Sequence, residues 1–225
     1  MIRENLQEVK ATLKPGVKLV AVSKFHPVEA LQEAYDAGQR VFGESHVQEL
    51  VAKEEVLPKD IEWHFIGHLQ TNKVKYMAPF VSLIHAVDSL KLLREIDKQA
   101  QKCERTIDVL LQIHVAKEET KFGFTPEEVK EMLDEGEWKA CQHVRIVGLM
   151  AMATNTDNEE QIAQEFEEMK QLFEEVKTRF FASEPSFKEL SMGMSGDYLI
   201  AQEHGSTMVR VGSMIFGMRN YGVKI

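Results

Sequence analysis

Short apolar runs alternate with amphipathic helical patterns about eight times along this chain, and that alternation leaves few folds open. The runs are residues 19–22, 40–42, 62–66, 81–85, 108–114, 144–150, 189–190 and 208–211. Between them apolar residues recur at helical spacing over 28–37, 46–55, 71–77, 90–101, 126–135 and 159–180. Strand, helix and strand in that order make a right-handed crossover between parallel neighbours. A continuous run such as Leu19-Val20-Ala21-Val22 is what a parallel sheet covered on both faces requires. Eight such units favour closure, so the expectation is an α/β fold, a (β/α)8 TIM barrel and not an open sheet. At 225 residues the chain has the length of a small barrel, expected as a single domain over residues 1–225. Local signals mark the helix ends. Asp36-Ala37-Gly38 offers a glycine for a left-handed cap, and Asp88-Ser89 and Thr125-Pro126-Glu127 are helix starts.

Composition removes several functional classes. A net charge of −9 argues against nucleic acid as the main partner, because phosphate contacts need a basic surface. No apolar stretch approaches the ~20 residues that span a bilayer, and no membrane association is expected. Met1-Ile2-Arg3-Glu4-Asn5 opens an amphipathic helix and not a signal peptide, so the expected location is cytoplasmic. Cys103 and Cys141 are too few and too isolated for a disulfide framework or a zinc site.

Chemistry concentrates where such a fold places ligands, at the carboxyl ends of its strands. Lys24 follows the first apolar run there; taken alone it reads first as a solvated lysine flanking a strand, whereas an amine kept partly out of water becomes a candidate nucleophile towards an aldehyde. Two small-residue loops follow the last two strands: Leu190-Ser191-Met192-Gly193-Met194-Ser195-Gly196-Asp197, and Val209-Arg210-Val211-Gly212-Ser213-Met214. The helical residues Tyr198 to Gln202 come directly after the first loop. Glycines let backbone N–H groups approach an anion, and Ser195 and Ser213 add hydroxyls. Taken one loop at a time, these residues read first as tight turns. A strand-end lysine combined with two such loops is the minimum kit for pyridoxal 5′-phosphate, with a Schiff base at one end and a phosphate clamp at the other. Arg210, pointing inward, would face the pyridine nitrogen or the phosphate. Beside the nitrogen it would keep the ring unprotonated, since a guanidinium does not give up its proton. The alternative is a structural arginine paired with a carboxylate.

Other motifs carry less. His64 and His68 stand four apart, but His64 lies in a strand and Gly67 breaks helical geometry, so no metal is expected. His68 and Asn72 read as rim residues. Thr120-Lys121-Phe122-Gly123-Phe124 is a lid or a packed loop at the same mouth, and Lys121 or Lys73 is a candidate second docking point.

At these residues the sequence resembles the pyridoxal-phosphate homeostasis family, whose members look like the amino-terminal barrel of alanine racemase standing alone. The resemblance runs through Val20-Ala21-Val22-Ser23-Lys24, Phe42-Gly43-Glu44, His64-Phe65-Ile66-Gly67-His68-Leu69-Gln70 and Asn72-Lys73. It continues through Val87-Asp88-Ser89, Lys121-Phe122-Gly123, Gly148-Leu149-Met150, Leu190 to Ser195 with Asp197, and Arg210-Val211-Gly212 with Ile215-Phe216-Gly217. It implies that Lys24 is the Schiff-base lysine, that Ser195, Gly212 and Ser213 bind phosphate, and that Arg210 lies near the pyridine nitrogen. Ser45 departs from it, standing where the family usually carries Asn, so no role beneath the cofactor ring carries over.

The resemblance leaves two uses for the cofactor. An amino-acid racemase of the alanine racemase type needs an acid–base group on each face of its substrate, supplied in that enzyme by a second domain. This chain is expected to lack that domain, and Tyr35, Tyr76, Tyr198 and Tyr221 sit in no motif suggesting such a base. The favoured expectation is a non-enzymatic carrier that holds pyridoxal phosphate reversibly and passes it to apo-enzymes. A monomer is expected.

Overall fold

The computed structural model describes residues 1–119 and 122–219. Its eight parallel strands follow one another around a closed barrel in chain order, the eighth pairing with the first. They are β1 (Lys18–Val22), β2 (Val41–Glu44), β3 (Glu62–Phe65), β4 (Leu83–Val87), β5 (Ile107–Ile113), β6 (Val144–Ala151), β7 (Glu189–Met194) and β8 (Met208–Val211). Helix α1 (Ile2–Ala11) precedes the first strand. The crossovers carry α2 (Val28–Asp36), α3 (Val47–Val56), α4 (Val74–Met77), α5 (Leu90–Lys102), α6 (Pro126–Glu135), α7 (Glu159–Phe180) and α8 (Tyr198–Glu203), and α9 (Ser213–Phe216) follows β8. The TIM barrel is the fold expected from the alternation.

Successive strand residues point to opposite faces, and this divides the apolar side chains into two cores. Leu19 and Ala21 of β1 join the large layer between strands and helices, with Phe42, Phe65, Phe166 and Phe187 fully buried in it. Val20 faces inward and meets Leu83, Leu110, Val147, Met150 and Met208 inside the barrel. At about 2 kcal/mol per buried large side chain, the outer layer carries most of the hydrophobic stabilisation. The inner cluster leaves room for polar groups, and His64, His85, Gln112, Ser191 and Arg210 are buried beside it. Strands β6 and β7 approach so closely at Gly148 that a Cβ there would lie 1.7 Å from the Glu189 carbonyl oxygen. Glycine is the residue that fits such a contact.

Three strands differ from the expectation by two residues or more, each for a tertiary reason. The fourth strand is displaced by two residues because the Val81 N–H donates to Met77 O, which continues the turn of α4. The second strand runs on to Glu44, an acid in a fully buried strand position, because Lys53 of α3 pairs with it. The seventh strand extends through the glycine-containing run to Met194. Gly193 there packs under α8, where a Cβ would fall 2.7 Å from the Ala201 Cβ.

Candidate functional site

The register of β1 against β8 decides which residues share the barrel mouth. Ala21 stands opposite Val211, so the turn after β1 runs alongside Gly212 and the first turn of α9. At Gly212 the backbones nearly touch, and a Cβ would lie 2.9 Å from Val22 O. The Gly212 N–H donates to Ser195 Oγ at 3.2 Å, tying the loop after β8 to the loop after β7. That second loop is a tight turn closed by Asp197, whose Oδ1 accepts from the Met194 N–H at 2.7 Å. Ser195 and Gly196 sit at its tip, with open space beside Gly196. The Ser195 hydroxyl accepts from Gly212 and keeps its own proton to donate. No side chain caps the first turn of α9, whose cap residue is Gly212. Backbone donors at the end of β8 therefore face the mouth, a favourable setting for an anion.

Lys24 reaches the same mouth from β1 and is half-buried. Burial lowers the pKa of its amine, and the guanidinium groups of Arg219 and Arg210 push the same way against the carboxylates Glu44 and Glu49. More of the amine is then neutral and nucleophilic near neutral pH. Arg210 points into the barrel. It donates to Ala151 O at 3.1 Å and to Ser191 Oγ, and neither partner is a carboxylate. Burial brings its pKa down to about 10 against the pull of Asp197, so it remains a cation at neutral pH. The structure thus brings Lys24, Ser195, Arg210, Gly212 and Ser213 to one sector formed by β1, β7 and β8.

Behind Lys24, between β1, β2 and α3, lies a buried ionic cluster that sequence reasoning missed. Lys53 donates all three of its protons, to Ser23 O at 2.8 Å and to Oε1 of Glu44 and of Glu49 at 2.7 Å each. Ser23 Oγ donates to Glu44 Oε1 at 2.7 Å, and the Phe25 N–H donates to Glu49 Oε1 at 2.6 Å. The cluster therefore grips the backbone on both sides of Lys24. Phe25 takes a left-handed φ of +65°, which costs a non-glycine residue ~1 kcal/mol and persists only where neighbours hold it. Oε2 of both glutamates is buried without a hydrogen-bond partner among the described residues.

Burial raises Glu44 to about 7, while Lys53 pulls it back down. A carboxyl whose folded pKa lies above its unfolded value adds stability that is complete below about pH 4.5 and lost as pH rises through 7. Glu44→Gln removes that loss and keeps an oxygen to accept from Lys53. Denaturation at pH 5 and pH 8 should show the variant gaining on the wild type by on the order of 2 kcal/mol across that interval. Parallel stability curves would show that Glu44 does not titrate there.

The opposite rim is aromatic and basic. His68 stacks on Phe122 with ring centroids 3.8 Å apart, and its Nδ1 lies 3.4 Å from Asp88 Oδ2. Lys73 lines a cavity of about 290 Å³ with Ser45, His46, His68 and Gln70. Ser45 is pressed against Gly67, where a Cβ would lie 2.3 Å from Ser45 O. Lys121, and with it the lid reading of its loop, lies outside the described residues, as does Tyr221. Among the described residues no group of His, Cys, Asp and Glu suits a metal ion. None of their helices is long and apolar enough to cross a membrane. Glu44, Glu49 and Lys53, and the pair His85 and Ser191, carry no signal at local spacing. Each reads as an ordinary strand or helix residue until the strands close.

The sequence matches the family model described as alanine racemase, N-terminal domain, over residues 1–220. The pyridoxal phosphate homeostasis protein of Aquifex aeolicus is 42% identical over 205 residues, covering 91% of this chain and 88% of the relative. That of Schizosaccharomyces pombe is 38% identical over 222 residues, covering 97% and 90%. PipY of Synechococcus elongatus, solved without PLP, matches with a TM-score of 0.89 at 36% identity, over 96% of this chain and 100% of PipY. The same protein with PLP bound gives 0.87 at 35%. An alanine racemase of Clostridium difficile shares the fold at 16% identity and a TM-score of 0.76, with 57% of its length covered.

Proposed function

The chain belongs to the pyridoxal phosphate homeostasis proteins, within the family of the alanine racemase N-terminal domain, and from that premise we propose that it holds pyridoxal 5′-phosphate reversibly on Lys24 and releases it to apo-enzymes. The observation that carries this reading is the β1–β8 register, which sets a half-buried amine beside the backbone donors that open α9. The residues present fit the group at both ends. Lys24 offers an amine of lowered pKa, and the Gly212 backbone lies against Val22 and beside the Ser195 hydroxyl, so the two loops reach the mouth together. When bound, pyridoxal phosphate supplies an aldehyde that joins a primary amine with loss of one water and is freed again by hydrolysis.

The chain's own groups divide the work. Lys24 Nζ would attach the cofactor, the hydroxyls of Ser195 and Ser213 with the backbone at Gly212 and Ser213 would hold its phosphate once the Gly212 N–H turns from Ser195 Oγ, and Arg210 would lie on the side of the ring nitrogen. An unprotonated ring nitrogen makes a poor electron sink, which suits holding the aldehyde better than processing an amino acid. The described tyrosines are committed elsewhere. Tyr35 donates to Asp60, Tyr198 bonds Thr12 and Tyr76 is exposed beside Lys73 and Lys75. That distribution supports the carrier reading over racemisation.

Titration of purified protein with pyridoxal phosphate tests the proposal. Saturable growth of a visible absorption band, followed by transfer of the cofactor to an apo-enzyme, is the expected result. Protein that stays colourless, or that racemises alanine at an enzymatic rate, overturns it.

A further inference from the structure

Arg210 lies inside the barrel with no carboxylate bonded to it among the described residues, and what holds it there is a line of polar groups crossing the interior. Its NH1 donates to Ser191 Oγ on β7. His85 Nδ1 on β4 is 3.0 Å from the same oxygen, and His85 Nε2 is 2.9 Å from His64 Nδ1 on β3. Ser191 and His85 are completely buried and His64 nearly so. At its far end His64 lines a cavity of about 430 Å³ at the amino-terminal mouth, together with Lys18, Glu62, Ser82 and Asp108.

The chemistry of these groups gives the line one direction. A guanidinium only donates, so Ser191 Oγ accepts from Arg210. The single serine proton then goes to the remaining neighbour, His85 Nδ1. His85 is left with its proton on Nε2, which donates to His64 Nδ1, and His64 carries its proton on Nε2, towards the cavity. The reverse order would aim two donors at Ser191 Oγ and leave the serine proton without an acceptor in a sealed site. Burial pushes both histidines below their ordinary pKa, His64 to about 3, so neither ring brings a second donor into the line. Because the line ends on a group that never gives up its proton, its role is to orient and not to conduct.

We propose that Ser191, His85 and His64 are positioning residues that hold Arg210 in place for the cofactor ring. This rests on the pyridoxal phosphate reading above. TIM-barrel interiors are ordinarily filled by branched apolar side chains, and here four inward positions are given to a polar line whose product is the aim of one arginine. Two of the five guanidinium N–H groups, one to Ser191 and one to Ala151, fix the plane of the group, and among the described residues the others have no partner and are open to a ligand.

Two measurements test the inference. Nitrogen-15 NMR of the cofactor-free wild type should show His85 and His64 both protonated on Nε2. In the loaded protein, Ser191→Ala and His85→Phe should each speed release of pyridoxal phosphate about tenfold, the scale of a lost hydrogen bond to a charged group. Both should also change the visible circular dichroism of the bound cofactor, and Ser191→Thr, which keeps the hydroxyl, should restore both readouts. An Nδ1-protonated His85, or wild-type release from both variants, overturns the inference. A wild type that never develops the visible band overturns the cofactor reading instead, and the two failures are told apart because the tautomer measurement needs no cofactor.

Discussion

Lys24→Ala is expected to lose the visible band given by pyridoxal phosphate and to weaken binding on the order of a hundredfold. The size of the effect follows from how few amines can stand in. Lys53 lies behind the turn, and all three of its protons are committed in a buried cluster. Lys18 shares the inward face of β1 but opens on the opposite mouth, paired with Glu189 at 2.9 Å. The proposed phosphate donors of the β7 and β8 loops are untouched by the substitution, so weak binding without colour should persist. Lys24→Arg keeps a cation at the site and should remain equally colourless, because a guanidinium is too weak a nucleophile at neutral pH. Absorbance and fluorescence titrations of the two variants provide the measurement. A full visible band in Lys24→Ala would move the attachment to another lysine and end the assignment.

Lys53→Ala is expected to destabilise the protein by about 3 kcal/mol, lowering the melting temperature on the order of 10 °C. The substitution strands two buried carboxylates and the Ser23 carbonyl, which together take all three protons of the ammonium. Removing one partner from a buried ion cluster ordinarily costs ~3–5 kcal/mol. The lower end applies because Glu44, raised to about 7, can take up a proton. Lys53→Met combined with Glu44→Gln, which removes one charge of each sign, should recover part of the loss. The cluster also holds the Ser23 carbonyl and the Phe25 N–H on either side of Lys24, so cofactor affinity should fall with stability. Denaturation of the single and double variants, read beside cofactor titrations, decides the matter. An unchanged melting temperature in Lys53→Ala would show that the cluster carries no net stabilisation.

The order of strands and helices was legible because each element carries its own period. The run Leu19-Val20-Ala21-Val22 shows burial on both faces in its letters alone, and Thr125-Pro126-Glu127 shows a helix start that the capping box at Thr125 and Glu128 completes. Lys24, Ser195, Arg210, Gly212 and Ser213 could be picked out as candidates that share one sector of the barrel because strand-end position and loop composition are local properties. The residues that escaped were those whose function is a partnership. Glu44 falls just past the expected second strand and Lys53 within a helical pattern, so nothing local marks either as paired, and both are buried only because β2 and α3 face each other across the cluster. His85 and Ser191 are 106 positions apart in the chain yet 3.0 Å apart in the barrel.

By itself, then, the sequence determined the eightfold alternation, the closed α/β architecture and the set of mouth residues. These rest on periodicity, caps and composition, which act over a few residues. Only the tertiary structure decided that Arg210 rests on a serine and two neutral histidines in place of a carboxylate, and that a sealed ionic cluster braces the turn carrying Lys24. Charge state and hydrogen-bond direction inside the barrel depend on burial and on which strands become neighbours, and closure of the sheet is what sets both.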